Sequence, residues 1–306
     1  MEKKYDIVII GGGPAGISAG IYAVRAGRSV LIIEKFAPGG QLGLIGEIEN
    51  YAGFEKINGF ELAQKFEKHA KSLGVEFVFD NALSLEKQVD NNIVKCEKNT
   101  YLANAVILAL GCHSRELNIE GEKAFKGKGV SYCALCDGNF FKNKTVAVVG
   151  SGDSAFSDAL YLSNLCKQVY VLTKDRLKLN NYAENELDGK GNVELLKGAI
   201  SKKIIGEEKV ESLEFERNDK TEKIDVDGVF VAIGRTPDTK MLKGVIDLDE
   251  WGYILANESM ETSMEGVYVC GDVRTNSIRQ IATAVGDGAV AGTNASKYVL
   301  RKIAKK

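Results

Sequence analysis

Two glycine-rich turns, each set between an apolar strand and a helix, constrain the fold of this chain more than any other feature. In the first, residues 5–10 form an apolar segment, and G-x-G-x-x-G falls on Gly11, Gly13 and Gly16. The first glycine permits a tight turn, the second lets a pyrophosphate approach the backbone, and the third lets helix and strand pack closely. Glu34 ends the next strand, where a carboxylate accepts hydrogen bonds from a ribose hydroxyl. This unit predicts a dinucleotide site.

The second turn follows the apolar segment 145–149 and carries G-x-G-x-x-A on Gly150, Gly152 and Ala155. Alanine at the last position still permits close packing of the helix on the strand. Two such units predict an α/β fold with two Rossmann-like dinucleotide-binding domains. They also suggest that one nucleotide is a bound redox cofactor and the other a substrate. A degenerate second copy that binds nothing is the alternative.

Composition places few further limits on the function. The chain has 306 residues, enough for two domains that each bury a core. Its 40 basic and 42 acidic residues give a formal charge of −2, so no global field favours nucleic acid or an anionic membrane. No apolar run approaches the roughly 20 residues that span a bilayer. We therefore expect a cytoplasmic protein with no nucleic-acid or membrane partner.

Two cysteines three positions apart, Cys133 and Cys136, lie just before the second glycine turn. A structural zinc site needs four ligands, but there is no second C-x-x-C, and the only histidines are His69 and His113. A permanent disulfide here would close too small a loop to stabilise the fold much. A redox dithiol is the favoured interpretation. Asp137 could supply or remove the proton that dithiol chemistry requires, or could simply be a turn or helix-cap residue.

With GGGPAG near its start, CALCDG before the second turn and VYVCGDV near its end, the chain resembles a low-molecular-weight thioredoxin reductase. The resemblance covers almost the whole chain. It implies FAD in the first site, a pyridine nucleotide in the second, thioredoxin or a thioredoxin-like protein as partner, and a homodimer. It further implies that Cys136 contacts the flavin, that Cys133 attacks the protein substrate, and that Asp137 is the general acid and base. A domain rotation is expected to present dithiol and nicotinamide to the flavin in turn.

The resemblance also assigns residues beside the flavin, each of which taken singly would be an ordinary turn or loop residue. Asp272 is implied to hydrogen-bond the ribityl chain, and the segment 279–281 to close over the isoalloxazine. The full implied set, beyond the first turn and Glu34, is Gly39, Gly40, Gln41, Asn50, Gly271, Asp272, Arg279, Gln280 and Ile281.

The same matching predicts how the domains are arranged along the chain. The FAD-binding domain is expected to comprise residues 1–115 and 242–306. The pyridine-nucleotide-type domain, 116–241, is expected to be inserted between them and to carry the cysteine pair. The segment 229–237 is predicted to be a buried strand followed by a turn that marks the return to the first domain.

The electron donor is the point at which the chain departs from the family pattern. The family recognises the NADPH 2′-phosphate through H-R-R-x-x-x-R, whereas this chain has TKDRLKL, Thr173 to Leu179. Only Lys174 could meet a phosphate, and it is a weaker partner than a bidentate arginine; Asp175 would repel one. Thr173 lies 23 residues after Gly150, as Glu34 does after Gly11, so the register offers neither an acid nor an arginine. Some thioredoxin reductases of anaerobes resemble this family but take electrons from ferredoxin, having lost pyridine-nucleotide recognition. NADPH, NADH and ferredoxin therefore stay open; the retained glycines favour a pyridine nucleotide, with ferredoxin close behind.

Two classes of function remain on the sequence alone. One is an enzyme, an FAD-dependent reductase of the disulfide of thioredoxin. The other is a non-catalytic flavoprotein that uses the dithiol as a redox sensor or switch. The retained Asp137 and flavin motifs favour the enzyme. A short basic stretch, KGKG at residues 126–129, could help to dock the partner or could be a solvated turn.

Overall fold

The computed structural model describes residues 3–174, 186–187, 189–275 and 278–304. The chain divides into two compact units, one formed by Met1–His113 with Thr236–Lys306 and the other by Ser114–Arg235. The predicted boundaries, 115 and 241, lie two and six residues beyond these junctions. Within the described ranges, no helix is both long and apolar enough to cross a membrane.

The first unit is built on a mostly parallel sheet covered by helices. Its strands in chain order are β1 (Lys3–Ile10), β2 (Val30–Glu34), β3 (Glu76–Phe79), β4 (Ala82–Lys87), β5 (Asn92–Cys96), β6 (Thr100–Leu108) and β7 (Cys112–Ser114). Its first helices are α1 (Pro14–Arg25) and α2 (Gly59–Ser72), with a 3-10 turn at Gly40–Leu44. The strand order is β3-β2-β1-β6, all parallel, with the antiparallel hairpin β4-β5 added beside β6.

The second unit contains the cysteine pair and a second parallel sheet. Its elements are β8 (Val130–Ser131), α3 (Ala134–Asp137), β9 (Thr145–Val149), α4 (Asp153–Ser163), β10 (Gln168–Thr173), β11 (Val193–Lys197), β12 (Ile200–Gly206), β13 (Val210–Arg217), β14 (Lys220–Asp225) and β15 (Gly228–Val231). The parallel sheet has the order β11-β10-β9-β15-β8. The strands β12-β13-β14 form a separate antiparallel sheet.

The chain then returns to the first unit. The remaining elements are β16 (Arg235–Pro237), which pairs with β7, then β17 (Val267–Val269), which adds to β6 in parallel, and the long final helix α5 (Ile281–Ala304). As predicted, residues 229–231 belong to a fully buried strand; the second unit then ends at Arg235.

Burial of strands on both faces explains why parallel sheets form in both units. The central strand β1 alternates its apolar side chains between two cores: Ile7 and Ile9 join α1 and α5, and Val8 and Ile10 pack on the opposite face. Such near-continuous apolar runs are typical of sheets covered on both sides. The carboxyl ends of these strands therefore deliver the glycine turns to one edge of each sheet, where ligands bind in such folds.

Candidate nucleotide and dithiol sites

The first glycine turn has the geometry that its sequence predicts. Gly11 has φ of 108°, and a Cβ atom there would collide with the carbonyl oxygen of Ala109. A Cβ atom on Gly16 would collide with the carbonyl oxygen of Gly11, so the helix can approach the strand only because this residue is glycine. Gly13, by contrast, has nothing within 4 Å of the position of a Cβ atom. Its open face leaves room for a group that must touch the backbone.

Glu34 lies at the end of β2 and closes the turn. One carboxylate oxygen accepts a hydrogen bond from the backbone N–H of Gly12 at 2.7 Å, and the other accepts from that of Phe36 at 3.0 Å. A carboxylate oxygen has two acceptor positions, so each can accept a further hydrogen bond. The side chain is thus held in place and can still bind a hydroxyl.

The segment that begins the 3-10 turn lies directly on the first glycine turn. The backbone N–H of Gly39 donates to the carbonyl oxygen of Gly12 at 2.7 Å. A Cβ atom on Gly40 would lie 3.1 Å from Cα of Gly13. Both Gly39 and Gly40 have positive φ, which glycine adopts without steric cost. The predicted residues of this segment therefore border the open face of Gly13.

A second group of predicted residues gathers around Asp272. The Gln41 side-chain amide donates to the carbonyl oxygen of Cys112 at 2.6 Å, and the Cys112 sulfur lies 4.0 Å from an Asp272 carboxylate oxygen. Arg279 Nε donates to the carbonyl oxygen of Asp272 at 3.4 Å, and the Arg279 guanidinium stacks 4.4 Å from the ring centroid of Tyr253. Residues from four separate parts of the sequence thus meet here.

Asn50 and Gln280 are also brought together. The Asn50 side-chain amide donates to the Gln280 side-chain oxygen at 3.0 Å, although 230 residues separate them. Ile281, the last residue of the predicted flavin set, begins α5. The sequence suggested that both residues border one cofactor, and the structure joins them directly.

Gly271, the residue before Asp272, contacts α1 and is hydrogen-bonded to α5. Gly271 has φ of 75°, and a Cβ atom there would lie 2.8 Å from Cβ of Ala15 on α1. Its backbone N–H donates to the Asp287 carboxylate at 3.2 Å, and Arg274 grips the same carboxylate with two hydrogen bonds of 2.7 and 3.0 Å. This ion pair was not predicted, because a single arginine and a single aspartate give no signal of pairing in the sequence.

The helices α1 and α5 cross at unusually close range. Cβ atoms on Gly288 and Gly292 would collide with the carbonyl oxygens of Ala15 and Ala19, respectively. The hydroxyl of Ser18 bridges the crossing by donating to the carbonyl oxygen of Val285 at 2.8 Å. The crossing holds α5 against the helix that follows the first glycine turn. In the sequence, the spacing of small residues along both helices could have indicated this close crossing.

The second glycine turn repeats the shape of the first. A Cβ atom on Gly150 would collide with the carbonyl oxygen of Ala232, and the Cβ atom of Ala155 is also close to that position. Ala155 itself is fully buried. Gly152 is the N-cap residue directly before α4 and has nothing within 4 Å of the position of a Cβ atom. The second turn therefore also leaves an open backbone face.

The two turns differ at the end of the following strand. In both, the first glycine donates its N–H to the carbonyl oxygen of the residue just before the last one of that strand: Gly11 to Ile33 at 2.9 Å, and Gly150 to Leu172 at 3.1 Å. This common register places Thr173 where the first turn has Glu34. Thr173 is fully buried, and its hydroxyl oxygen has no hydrogen-bond partner among the described residues. The second turn thus lacks a carboxylate at this position.

The described part of the donor segment ends at Lys174, which is exposed. Asp175 and Leu179, which bear on recognition of a 2′-phosphate, lie outside the described residues, as does most of the segment that follows. The role of Lys174 stays a prediction.

The cysteine pair is a disulfide at the start of α3. Cys133 and Cys136 are bonded, with Cα atoms 5.3 Å apart, and both side chains are half-buried. The backbone N–H of Cys136 points at the Cys133 sulfur at 3.2 Å. A hydrogen bond to sulfur stabilises negative charge on it once the disulfide opens. Among the described residues, no cluster of three or more side chains could hold a metal ion.

Asp137 ends α3 beside the disulfide. Burial raises the pKa of its carboxyl, and a hydrogen bond from the hydroxyl of Ser131, 2.6 Å long, lowers it in part. The net direction is upward, so the carboxyl keeps its proton to a higher pH than a solvated aspartate. Ser131 was not predicted, because a serine two residues before a C-x-x-C motif has no distinctive pattern.

The residue before the disulfide is tied to a buried acid. Glu122 is fully buried and accepts hydrogen bonds from the backbone N–H groups of Leu117 and Asn118 and from the hydroxyl of Tyr132, at 2.9, 2.7 and 2.9 Å. Burial and the bond to Glu122 raise the pKa of Tyr132. Tyr132 precedes Cys133 directly, so this network fixes the entry into the dithiol loop.

Comparison with known proteins identifies the family. Residues 5–288 match the family described as pyridine nucleotide-disulphide oxidoreductase. The chain belongs to this family. Within the family, the chain is 39% identical over 303 residues to a thioredoxin reductase of Bacillus subtilis, covering 97% of this chain and 96% of that protein. It groups with the thioredoxin reductases, which are disulfide oxidoreductases.

Solved structures of the family agree with this fold. A thioredoxin reductase from Streptococcus pyogenes is 38% identical, with a TM-score of 0.94, over 98% of this chain and 100% of that one. A ferredoxin-flavin thioredoxin reductase from Clostridium acetobutylicum is 32% identical, with a TM-score of 0.55, over 100% of both chains. The predicted fold class, two Rossmann-like domains with the second inserted into the first, is confirmed.

Proposed function

We propose that this protein is an FAD-dependent thioredoxin-disulfide reductase. Two electrons from a donor pass through FAD to the Cys133–Cys136 disulfide, and the resulting dithiol reduces the disulfide of thioredoxin. The observation that carries the proposal is the disulfide itself, which is held at the start of α3 beside a carboxyl whose pKa is raised by burial.

The residues of the first turn fit FAD. Gly13 leaves its backbone face open, the first N–H groups of α1 are directed at the same space, and Glu34 has acceptor positions left for a ribose hydroxyl. Gly40 and the group around Asp272 would border the remainder of the cofactor. FAD bound there would supply the redox chemistry that links the electron donor to two-electron reduction of the disulfide.

The protein's own residues stabilise the thiolate and transfer the proton. Opening the disulfide leaves negative charge on sulfur, and the N–H of Cys136 stabilises that charge on Cys133. Burial raises the pKa of Asp137, which favours proton exchange between its carboxyl and a sulfur of the pair. Cys133 is the sulfur that we expect to attack the partner disulfide, since a stabilised thiolate is the attacking species.

A pyridine nucleotide is the donor that we favour. The open face of Gly152 at the start of α4 supports it, because such a face would serve no purpose in a turn that binds nothing. Thr173 in place of a carboxylate, and the ferredoxin-flavin relative, keep ferredoxin as the second candidate. A homodimer in the cytoplasm is also predicted.

The proposal is tested by mixing the yellow protein anaerobically with NADPH, NADH and reduced ferredoxin in turn, while flavin bleaching and thioredoxin reduction are followed. We expect NADPH or NADH to bleach the flavin and to support many turnovers of thioredoxin. If only reduced ferredoxin bleaches the flavin, ferredoxin is the electron donor, and the proposed reductase function still holds. One stoichiometric reduction of thioredoxin without turnover, with every donor, would contradict the enzyme and favour the redox sensor.

A further inference from the structure

Ser131 is anchored more firmly than the loop that it contacts. It lies at the end of β8, where the neighbouring strand β15 pairs with it through Phe230, and it is 5% exposed. Asp137, in contrast, ends a helix of four residues. A hydroxyl on a rigid strand therefore holds a carboxyl on a short, local element.

The Ser131 hydroxyl has three partners within reach. It accepts a hydrogen bond from the backbone N–H of Cys133 at 3.1 Å and donates to an Asp137 carboxylate oxygen at 2.6 Å. The carbonyl oxygen of Cys133 lies 3.4 Å away, where the same hydroxyl proton can be donated instead. One hydroxyl carries one proton and two acceptor positions.

We propose that Ser131 is a positioning residue of the dithiol, whose hydroxyl changes its hydrogen-bond partner as Asp137 gains or loses its proton. With Asp137 ionised, Ser131 donates to the carboxylate. With Asp137 protonated, the carboxyl O–H donates to Ser131, and the Ser131 proton turns to the carbonyl oxygen of Cys133. The buried hydroxyl is satisfied in both states, with one bond donated and no more than two accepted.

The proton step balances without any proton passing to Ser131. Two electrons from the reductant break the sulfur–sulfur bond, and a thiolate forms on one sulfur. The O–H bond of Asp137 breaks as an S–H bond forms, and the Ser131 hydroxyl turns back to the new carboxylate. The inference rests on the role of Asp137 in the proposed function, but not on the identity of the donor or the protein partner.

In the described part of the chain, the titratable groups on the elements next to Asp137 are Cys133, Cys136 and Tyr132, which precede it in the chain, and Asp153, Asp158 and Tyr161 on α4, the helix that packs against α3. Among the described residues, burial and the Ser131 hydrogen bond are the causes that shift the pKa of Asp137. Removing the hydroxyl should therefore act on Asp137 first.

The test compares Ser131→Ala with the wild type by infrared titration of the protonated carboxyl, which Asp137→Asn identifies by its loss. The pH dependence of disulfide opening by dithiothreitol is measured in parallel. Loss of a hydrogen bond to a carboxylate should raise the midpoint of both curves by about one pH unit. Ser131→Thr should restore the wild-type midpoint. An unchanged or lowered midpoint in Ser131→Ala would overturn the proposal.

Ser163→Ala is the matched control. Ser163 is a buried serine of the same unit, and its hydroxyl donates to the carbonyl oxygen of Leu160 at 2.8 Å. Its removal should leave both midpoints in place. If Ser131→Ala does not fold, Ser131→Val and Ser131→Thr form an equal-sized pair that differs in the hydroxyl, and equal midpoints would overturn the proposal. Neither measurement needs an electron donor or thioredoxin, so failure of the proposed function would be seen separately.

Discussion

At the scale of single residues, Asp137 has the environment of a working acid and base. Its carboxyl is shielded from water, which raises its pKa, and it adjoins the disulfide in the chain. Asp137→Asn keeps the shape of the side chain, but its amide cannot act as an acid or a base. We expect the rate of thioredoxin reduction to fall roughly 10²- to 10⁴-fold, the usual contribution of general acid–base catalysis.

Single-turnover mixing of reduced protein with oxidised thioredoxin measures this rate. Asp153→Asn is the control, since Asp153 is an exposed residue in the first turn of α4. An Asp137→Asn variant as fast as the control would remove Asp137 from the mechanism.

Asp158 on α4 is a second carboxyl that the sequence did not single out. Burial raises its pKa to about 6, and the nearby charge of Arg235 lowers it in part. Because the folded pKa lies above the unfolded value, the folded state binds the proton more tightly. Its contribution to stability is therefore full below pH ~4 and is lost as pH rises through about 6.

Asp158→Asn has no carboxyl to ionise, so it does not lose this stability as the pH rises. We expect the variant to exceed the wild type in free energy of unfolding at pH 7 by on the order of 1–3 kcal/mol, and to match it at pH ~4. Urea denaturation at both values of pH gives the comparison. A variant that is less stable than the wild type at pH 7 would show that the Arg235 charge outweighs burial.

At the scale of elements, the crossing of α1 and α5 holds much of the candidate flavin site together. Gly292→Ala puts a methyl group against the carbonyl oxygen of Ala19. We expect it to destabilise the protein by about 1–3 kcal/mol, the usual effect of overpacking. Gly286→Ala is the control on the same helix, because nothing lies within 4 Å of the added atom.

The control should be neutral or stabilising by up to ~1 kcal/mol, as alanine favours helix over glycine. Urea denaturation of both variants with FAD bound measures the difference. Equal stability of the two variants would contradict the close crossing.

Much of the element structure could be predicted from the sequence, because its signals are local. Strand, glycine turn and helix follow one another within about 30 residues in each Rossmann unit, so periodicity and glycine spacing identify them. The fold class was predicted in this way, whereas the family and the enzyme class were predicted from the resemblance of the motifs to thioredoxin reductases; all three are confirmed. The ligand roles of the individual site residues stay predictions.

What the sequence did not reveal depends on contacts between distant or unremarkable residues. In the sequence, Gly288 and Gly292 indicate only a weakened helix; the structure shows that they let the backbone of α1 approach closely. The pairing of Arg274 with Asp287, and the bond of Ser131 to Asp137, join common residue types with no characteristic spacing. Each becomes visible only when the chain is folded.

At the scale of the whole molecule, the two glycine turns are expected to serve different ligands. Gly13 and Gly152 are equivalent, since each is the N-cap residue directly before a helix, has negative φ and has open space where a Cβ atom would be. A valine at either position should fold and should block only its own ligand. We expect Gly13→Val to purify without flavin absorbance.

Gly152→Val should keep the flavin but lose its reduction by NADPH or NADH, while chemical reduction remains. Absorbance spectra before and after each reductant distinguish the two variants. If NADPH or NADH reduces the Gly152→Val protein normally, the second turn does not bind the nucleotide. If the Gly13→Val protein purifies with bound FAD, the first turn does not bind FAD.

The most direct test of the whole proposal needs no assumption about the donor. Protein with bound FAD is reduced chemically under anaerobic conditions and mixed with excess oxidised thioredoxin, and the thiols formed on thioredoxin are counted through repeated cycles of reduction. We predict that thioredoxin is reduced in every cycle by the wild type, and not by Cys133→Ser or Cys136→Ser, in which the disulfide cannot form. Reduction of thioredoxin by either serine variant, or its absence in the wild type, would contradict electron transfer through this disulfide.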